Sequence, residues 1–377
     1  MVRTRPDDAC PGALSLHEAA DGALARIRLP GGLLTAAQLQ TLAVTARDHG
    51  AGTLELTGRG NVQIRGIEGA SDAEAVAEAV AGAGLLPTPS HERVRNIVAS
   101  PLSGRVGGCG DVRAMVIDLD TRLRADPVLA GLPGRFWFGL DDGRGDISAL
   151  GTDIGVRLTG AEAELQIGGR DTGVLVAEDR AVDALLAAAR RFVERRGTAW
   201  RVTELPDPTV VVDSARLGPP PGAAPRPPVG WFEQRDGRIA LGAGVPLGVL
   251  PVRTAEFLAA IEAPLTVTPW RSVLVFDLDD GVADAALRVL APLGLVFDEN
   301  SPWLWVSACT GSPGCARSAA DVRADAARAV ESGEIGTAHR HTAHRHYVGC
   351  DRACGSPADA EVLIATPDGY RVRDPHP

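Results

Sequence analysis

The chain has 377 residues, 45% of them hydrophobic, which is enough for two or three domains and a sizeable core. A formal net charge of −10 argues against a general nucleic-acid binder, and no apolar run reaches the roughly 18 residues of a membrane span. All 38 basic residues are arginine, which excludes a Schiff-base lysine and a P-loop lysine.

The first stretch, MVRTRPDDACPGALSL, is too polar for a secretory signal, so the chain reads as cytoplasmic, where thiols stay reduced. A strand is predicted after Asp21-Gly22 (DGALARIRL). An amphipathic helix follows over 35–50, with Thr35 as N-cap and Gly50 as stop. LELTGRGNVQIRGI (54–67) reads as strand–turn–strand, and DAEAVAEAVAGAG as a second helix. GPPPGAAPRPPVG (218–230) reads as a linker too poor in donors to join a sheet. The same order then returns: DGRIALGAG, a helix over 253–263, LTVTPWRSVLVFDL (265–278) and a helix in GVADAALRVLAPLG.

Ungapped comparison supports an internal duplication of an α+β unit. Residues 54–67 lie over 265–278, Ala99 over Ala308, and Gly139 over Gly349, at offsets of 211, 209 and 210. In this alignment Ser100 stands where Cys309 does, and Leu140 and Arg144 stand where Cys350 and Cys354 do. Copy one has Arg59, Gln63 and Arg65 where copy two has Trp270, Leu274 and Phe276. A strand period of two puts Arg59, Asn61, Gln63 and Arg65 on one face.

Four of the six cysteines fall in ACTGSPGC (308–315) and VGCDRAC (348–354). In a reducing compartment this clustering points to metal before disulfide. Structural zinc favours shorter spacings, and the pair Cys309 and Cys315 fits them poorly. A [4Fe–4S] cube takes four thiolates and tolerates wider loops. The stretch after Cys315 predicts a helix whose positive end would face an anionic cluster. Iron–sulfur, zinc and unligated thiols all remain open on spacing alone.

With TGRGNVQIRG and RNIVASPLSG upstream, the cysteine motif and the duplicated layout resemble the sulfite and nitrite reductase superfamily. Within it, residues 9–32 and TPWRSVLVFDL are most similar to the precorrin-3B synthase family. The resemblance implies an α+β fold with ferredoxin-like half-domains at 13–88 and 231–299. It implies reductase-type α/β domains at 89–203 and 300–377, joined through a Pro-rich linker at 204–230. It also implies a [4Fe–4S] cluster on Cys309, Cys315, Cys350 and Cys354. The reductases bind small anions over sirohaem with arginines and lysines. Arg59 and Arg95 match the two arginine positions, whereas the lysine motif falls near Arg135 and Trp137 without a lysine.

That departure suits an enzyme whose tetrapyrrole is the substrate, since arginine pairs with carboxylates through two parallel hydrogen bonds. The implied reaction is O2-dependent conversion of precorrin-3A to precorrin-3B, with hydroxylation and γ-lactone formation, in aerobic cobalamin biosynthesis. A mononuclear non-haem iron is the implied site of O2 activation. A reduced pyridine nucleotide is the ultimate donor, acting through an electron-transfer reductase, since no G-x-G-x-x-G fingerprint is present. Arg59 and Arg95 are candidate catalytic residues. Arg59, Asn61, Gln63, Arg65, Arg95, Asn96 and Arg135 are candidate substrate contacts, expected to line one cleft opposite an apolar wall of Trp270, Leu274 and Phe276.

The five-residue repeat TAHRHTAHRH (337–346) offers His346 as a candidate iron ligand, and Arg340 and Arg345 as carboxylate contacts. Cys10 and Cys109 read as plain thiols, Asp141 and Asp142 as turn residues, and Trp137 as core. A sirohaem-dependent sulfite or nitrite reductase is the second reading. A non-catalytic tetrapyrrole-binding or electron-carrier protein is the third.

Overall fold

A computed structural model describes residues 8, 10–222, 226–335, 344–357 and 360–373. Copy one opens with β1 (His17–Ala19), β2 (Gly22–Ile27), β3 (Leu33–Leu34), α1 (Ala36–His49), β4 (Thr53–Leu56), β5 (Val62–Ile67) and α2 (Gly69–Gly82). The ends of α1 follow the sequence closely. Thr35 and Gln38 form a capping box, and Gly50 follows the last turn. Next come β6 (Ile97–Ala99), α3 (Arg113–Ala125), β7 (Phe138–Asp141), β8 (Ile154–Leu158), β9 (Glu162–Ile167), β10 (Arg170–Ala177) and α4 (Ala181–Arg195).

Copy two repeats the plan. It has β11 (Gly230–Glu233), β12 (Ile239–Gly244), β13 (Val249–Pro251), α5 (Val252–Ala259), β14 (Leu265–Val267), β15 (Ser272–Leu278) and α6 (Asp280–Leu290). Then follow β16 (Val306–Ala308), α7 (Val322–Glu331), β17 (Arg345–Val348), β18 (Glu361–Thr366) and β19 (Gly369–Val372).

The two half-domain sheets have the orders β1-β2-β5-β4-β13 and β11-β12-β15-β14-β3. They are the same sheet twice, with the fifth strand exchanged. Leu250 of copy two pairs with Leu54 of copy one, and Leu34 of copy one pairs with Leu265 of copy two. One apolar core therefore runs through both half-domains, holding Leu34, Leu54 and Ile64 together with Leu250, Leu265 and Val275. The remaining sheets, β10-β9-β8-β7-β6 and β16-β17-β18-β19, each start with three parallel strands and continue antiparallel. Copy one's sheet has its own core around Phe136, Phe138 and Phe192.

Three expectations need correction. Ala99 pairs with Leu140, and Ala308 with Tyr347, so Leu140 corresponds to Tyr347, an offset of 207 (347 minus 140). Gly349 therefore answers to Asp142, and Cys350 and Cys354 to Gly143 and Ile147. Matching backbone bonds agree, from Cys109 N to Asp142 O and from Ala319 N to Gly349 O. Second, the chain after 203 is not yet linker: Leu205, Val211 and Val212 sit in the core of copy one's α/β domain. Third, the helix after Cys315 begins only at Val322, and Asp321 already caps it by accepting from Ala324 N at 3.1 Å.

The exchanged strands predict joint unfolding. Leu250→Ala removes a side chain only 1% exposed that completes the other copy's sheet. It should cost about 2–5 kcal/mol in urea unfolding, and the two half-domains should still lose structure in one transition. Separate transitions for the two would contradict the shared core.

Candidate functional site

In copy one, β5 presents Gln63 and Arg65, and β2 presents Arg26, on the face turned toward the cysteine loops of copy two. These elements enclose a cleft of about 600 Å³ lined by all four clustered cysteines, six arginines (26, 65, 271, 317, 323 and 352) and two carboxylates, Glu18 and Glu55. The excess of arginines over carboxylates favours anionic groups there.

The floor is built from ion pairs. Buried Glu55 lies 2.7 Å from Arg323 Nη2, and its other oxygen accepts from Gln63 Nε2 at 3.3 Å. Arg65 donates to both oxygens of Asp21, at 2.7 and 3.1 Å, and to Gly314 O in the first cysteine loop at 3.2 Å. Arg26 donates to Gln63 Oε1 at 2.8 Å.

Burial pushes the Cys354 thiol pKa up, and the three other thiols push it further. Gly349 N donates to Cys309 Sγ at 3.4 Å. Among the described residues no three cysteine sulfurs lie within 4.8 Å of one another. Tetrahedral zinc with bonds of about 2.3 Å would draw its sulfurs to about 3.8 Å. Four thiolates around one opening are also the ligand set of an iron–sulfur cube, which is larger than a single zinc ion. Gly349 keeps this approach tight, since a Cβ there would lie 1.8 Å from Ser318 Oγ.

His346 does not fit an iron ligand. It is fully buried, Nε2 donates to Cys354 O (3.0 Å), and Nδ1 accepts from Ser307 Oγ (2.7 Å). Burial lowers its pKa to about 3, so the ring is neutral and braces the second cysteine loop. Arg345 is spent on Glu361 and Glu334, and Arg340 lies outside the described residues.

Of the arginine-face candidates, only Gln63 and Arg65 reach the cleft. The strand starts at Val62, so the period of two does not extend back to Arg59 and Asn61. Arg59 turns to Gly134 O (3.3 Å) and lies 5.0 Å over the Trp137 ring, and burial, then Arg201, lowers its pKa to about 10. Asn61 accepts from Leu29 N and donates to Asn96, which itself donates to Gly134 O and Phe136 O. Arg95 is buried against Asp120 (2.6 and 3.1 Å) and Leu85 O. Arg135 is exposed, over Trp200.

The apolar wall is not in the cleft either. Leu274 and Phe276 are fully buried against Leu102 and Ala240, where copy one's own loop closes over them. Trp270 packs against the cluster of Val98, Trp137 and Ile147. Arg26, Arg271, Arg317, Arg323 and Arg352 were not anticipated. Arg317 and Arg352 adjoin the cysteine motifs, and Arg271 lies over Gly60 at offset 211, so part of the signal was in the sequence.

At the counterpart of the cysteine site, copy one carries a carboxylate cluster. Ser100, in the place of Cys309, donates to Asp146 at 2.5 Å. Asp142 is paired by Arg144, and Asp141 accepts from the backbone of residues 143, 145, 147 and 148. Asp141 and Asp142 are thus fully buried supports of the turn.

Residues 17–83 match the family model of the nitrite/sulfite reductase ferredoxin-like half domain. Across 96% of its length the chain is 27% identical to a precorrin-3B synthase from Sinorhizobium sp, covering 81% of that protein. It is 24% identical to an assimilatory ferredoxin-dependent nitrite reductase of Haloferax mediterranei, over 92% of this chain and 72% of the relative. The solved Mycobacterium tuberculosis NirA protein matches the fold with a TM-score of 0.75 at 20% identity, over 88% of this chain and 69% of that one.

Two outcomes follow from these placements. Arg95→Ala should destabilise the fold by about 1.5–3 kcal/mol, because buried Asp120 loses both bonds from Arg95 and keeps Arg124 at 3.0 Å, while ligand affinity of the folded fraction stays unchanged. Denaturant unfolding beside ligand titration reads both. Burial, ahead of the other causes, raises the Asp146 pKa from 3.8 to about 7. The folded state therefore holds a proton between those values that the unfolded chain gives up, so this group's contribution to stability falls as pH rises from about 4 to 7. Asp146→Asn should remove that slope. Relative to the unmodified protein it should gain about 2–3 kcal/mol between pH 5 and 8, read by urea unfolding at both.

Proposed function

We propose that this chain, which belongs to the sulfite and nitrite reductase superfamily, converts precorrin-3A to precorrin-3B with O2, hydroxylating the macrocycle with γ-lactone formation. The observation that carries the reading is the cleft itself, six arginines set directly against four cysteines. A polycarboxylate macrocycle needs such a fringe of guanidinium groups. Similarity to a precorrin-3B synthase over 96% of the chain supports the same assignment.

Cys309, Cys315, Cys350 and Cys354 would hold a [4Fe–4S] cluster, which supplies single-electron transfer when bound. The protein's own residues do the rest. Arg65 and Arg323 are fixed by Asp21 and Glu55, so they shape the floor rather than swing to a ligand. Exposed Arg317 and Arg352 can close on substrate carboxylates from the cysteine side, and Arg26 from the copy-one side. A mononuclear iron has no ligand assigned, since both nitrogens of His346 are engaged. Electrons come from a reduced pyridine nucleotide through a partner reductase, in the cytoplasm.

Anaerobically purified protein should show the broad brown absorbance of a cluster. Alanine at any of the four cysteines should abolish iron and sulfide, while Cys10→Ala and Cys109→Ala keep both. Cluster-loaded protein given precorrin-3A, O2 and a reductant should yield the hydroxylated lactone by mass spectrometry. Strong red bands of sirohaem together with sulfite or nitrite reduction would overturn the assignment.

A further inference from the structure

The duplicated backbone demands the left-handed region at the same turns in both copies. In the turn before β5, Gly60 has φ +66 and donates to Thr57 O. In the turn before β15, Arg271 has φ +57 and donates to Thr268 O. In the short turn before β3, Gly31 has φ +64, and in the matching turn before β13, Leu247 has φ +54. Copy one meets the demand with glycine both times. Copy two places a leucine and an arginine there, although side chains with a Cβ disfavour that conformation. Both residues line the cysteine cleft. Residues held in unfavourable backbone regions cluster where a site needs their side chains.

The surroundings show what Arg271 is set up to do. Its stem crosses Gly248, where a Cβ would come within 2.7 Å of Cδ. Its Nη2 donates to Gly355 O, one residue after Cys354, at 3.2 Å. The charged neighbour acting on it is a second cation, Arg323, and no described carboxylate pairs with it. A guanidinium kept half-buried without an anionic partner is ready for one supplied by a ligand.

We propose that Arg271 is a specificity-determining anchor for a carboxylate of the macrocycle, with Leu247 beside it giving an apolar contact to the ring. The inference rests on the macrocycle reading above and extends it to a residue pair present in one copy only.

The test uses cluster-loaded full-length protein and uroporphyrin III, an eight-carboxylate tetrapyrrole, titrated by fluorescence. Arg271→Gly restores the residue of copy one. It should keep the iron content, leave Tm equal or higher through relief of backbone strain, and weaken binding about tenfold or more. Arg271→Lys, which keeps a positive charge, should retain most of the affinity. Unchanged affinity with a lowered Tm in Arg271→Gly would make Arg271 a brace for the cysteine loop and overturn the anchor. Failure of the unmodified protein to bind uroporphyrin would overturn the macrocycle reading, and the anchor with it.

Discussion

Glu55 sits on β4 of copy one, buried, and takes its strongest partner, Arg323, from the first turn of α7 in copy two. Arg65, 3.8 Å away, extends the network to Asp21 and to the Gly314 carbonyl between Cys309 and Cys315. Four charged groups thus join one copy's sheet to the other copy's cysteine loop. Loss of Glu55 takes the carboxylate from Arg323, and loss of Arg65 takes the cation from Asp21, so these two hold the network together. The return is positional. The network fixes how far the cationic strand face stands from the thiols, and that separation is the cleft.

The same architecture could have produced two clefts. Each half-domain turns the face of its central strand toward the α/β domain of the other copy. In copy two that face carries Leu274 and Phe276, so Leu102 and Val106 collapse onto it and Arg105 seals the edge by pairing with Asp277. In copy one the equivalent positions carry Gln63 and Arg65, whose polar groups cannot be buried against apolar loops without partners. The first interface closes by hydrophobic burial and the second stays open for a ligand. Strand exchange keeps both in one body, because neither sheet is complete without a strand from the other copy.

What could be read from the sequence was local or repeated. The capping box of α1, the strand–turn–strand units and the restriction of the paired cysteines to one copy all depend on residues a few positions apart. The third alignment slipped because the connection from β6 to β7 is longer than that from β16 to β17, and a glycine match could not sense the ladder. Arg95 looked like a substrate contact because its partner, Asp120, lies on another element. Arg59 failed for a different reason: it sits in the turn, where strand periodicity says nothing about direction. Arg271 was visible only as a mismatch with Gly60, whose meaning depends on φ.

The anionic ligand proposed here would enter a protein whose formal charge is −10. Net charge matters little here, because distant surface carboxylates are screened beyond a Debye length of about 8 Å at physiological salt. Inside the cleft the balance reverses. Arg65 and Arg323 are neutralised by Asp21 and Glu55, whereas Arg26, Arg271, Arg317 and Arg352 have no carboxylate partner among the described residues. Thiolates ligating a cluster would draw on the same positive field, so part of the arginine excess serves the cysteines before any substrate arrives. That explains why the cations concentrate on the cysteine side. Arg352 lies within the second thiol motif, Arg317 two residues after the first, and Arg271 reaches the carbonyl next to Cys354. One set of guanidinium groups can thus offset the charge of the thiolates and leave donors over for carboxylates, which a neutral polar cleft of the same shape could not do.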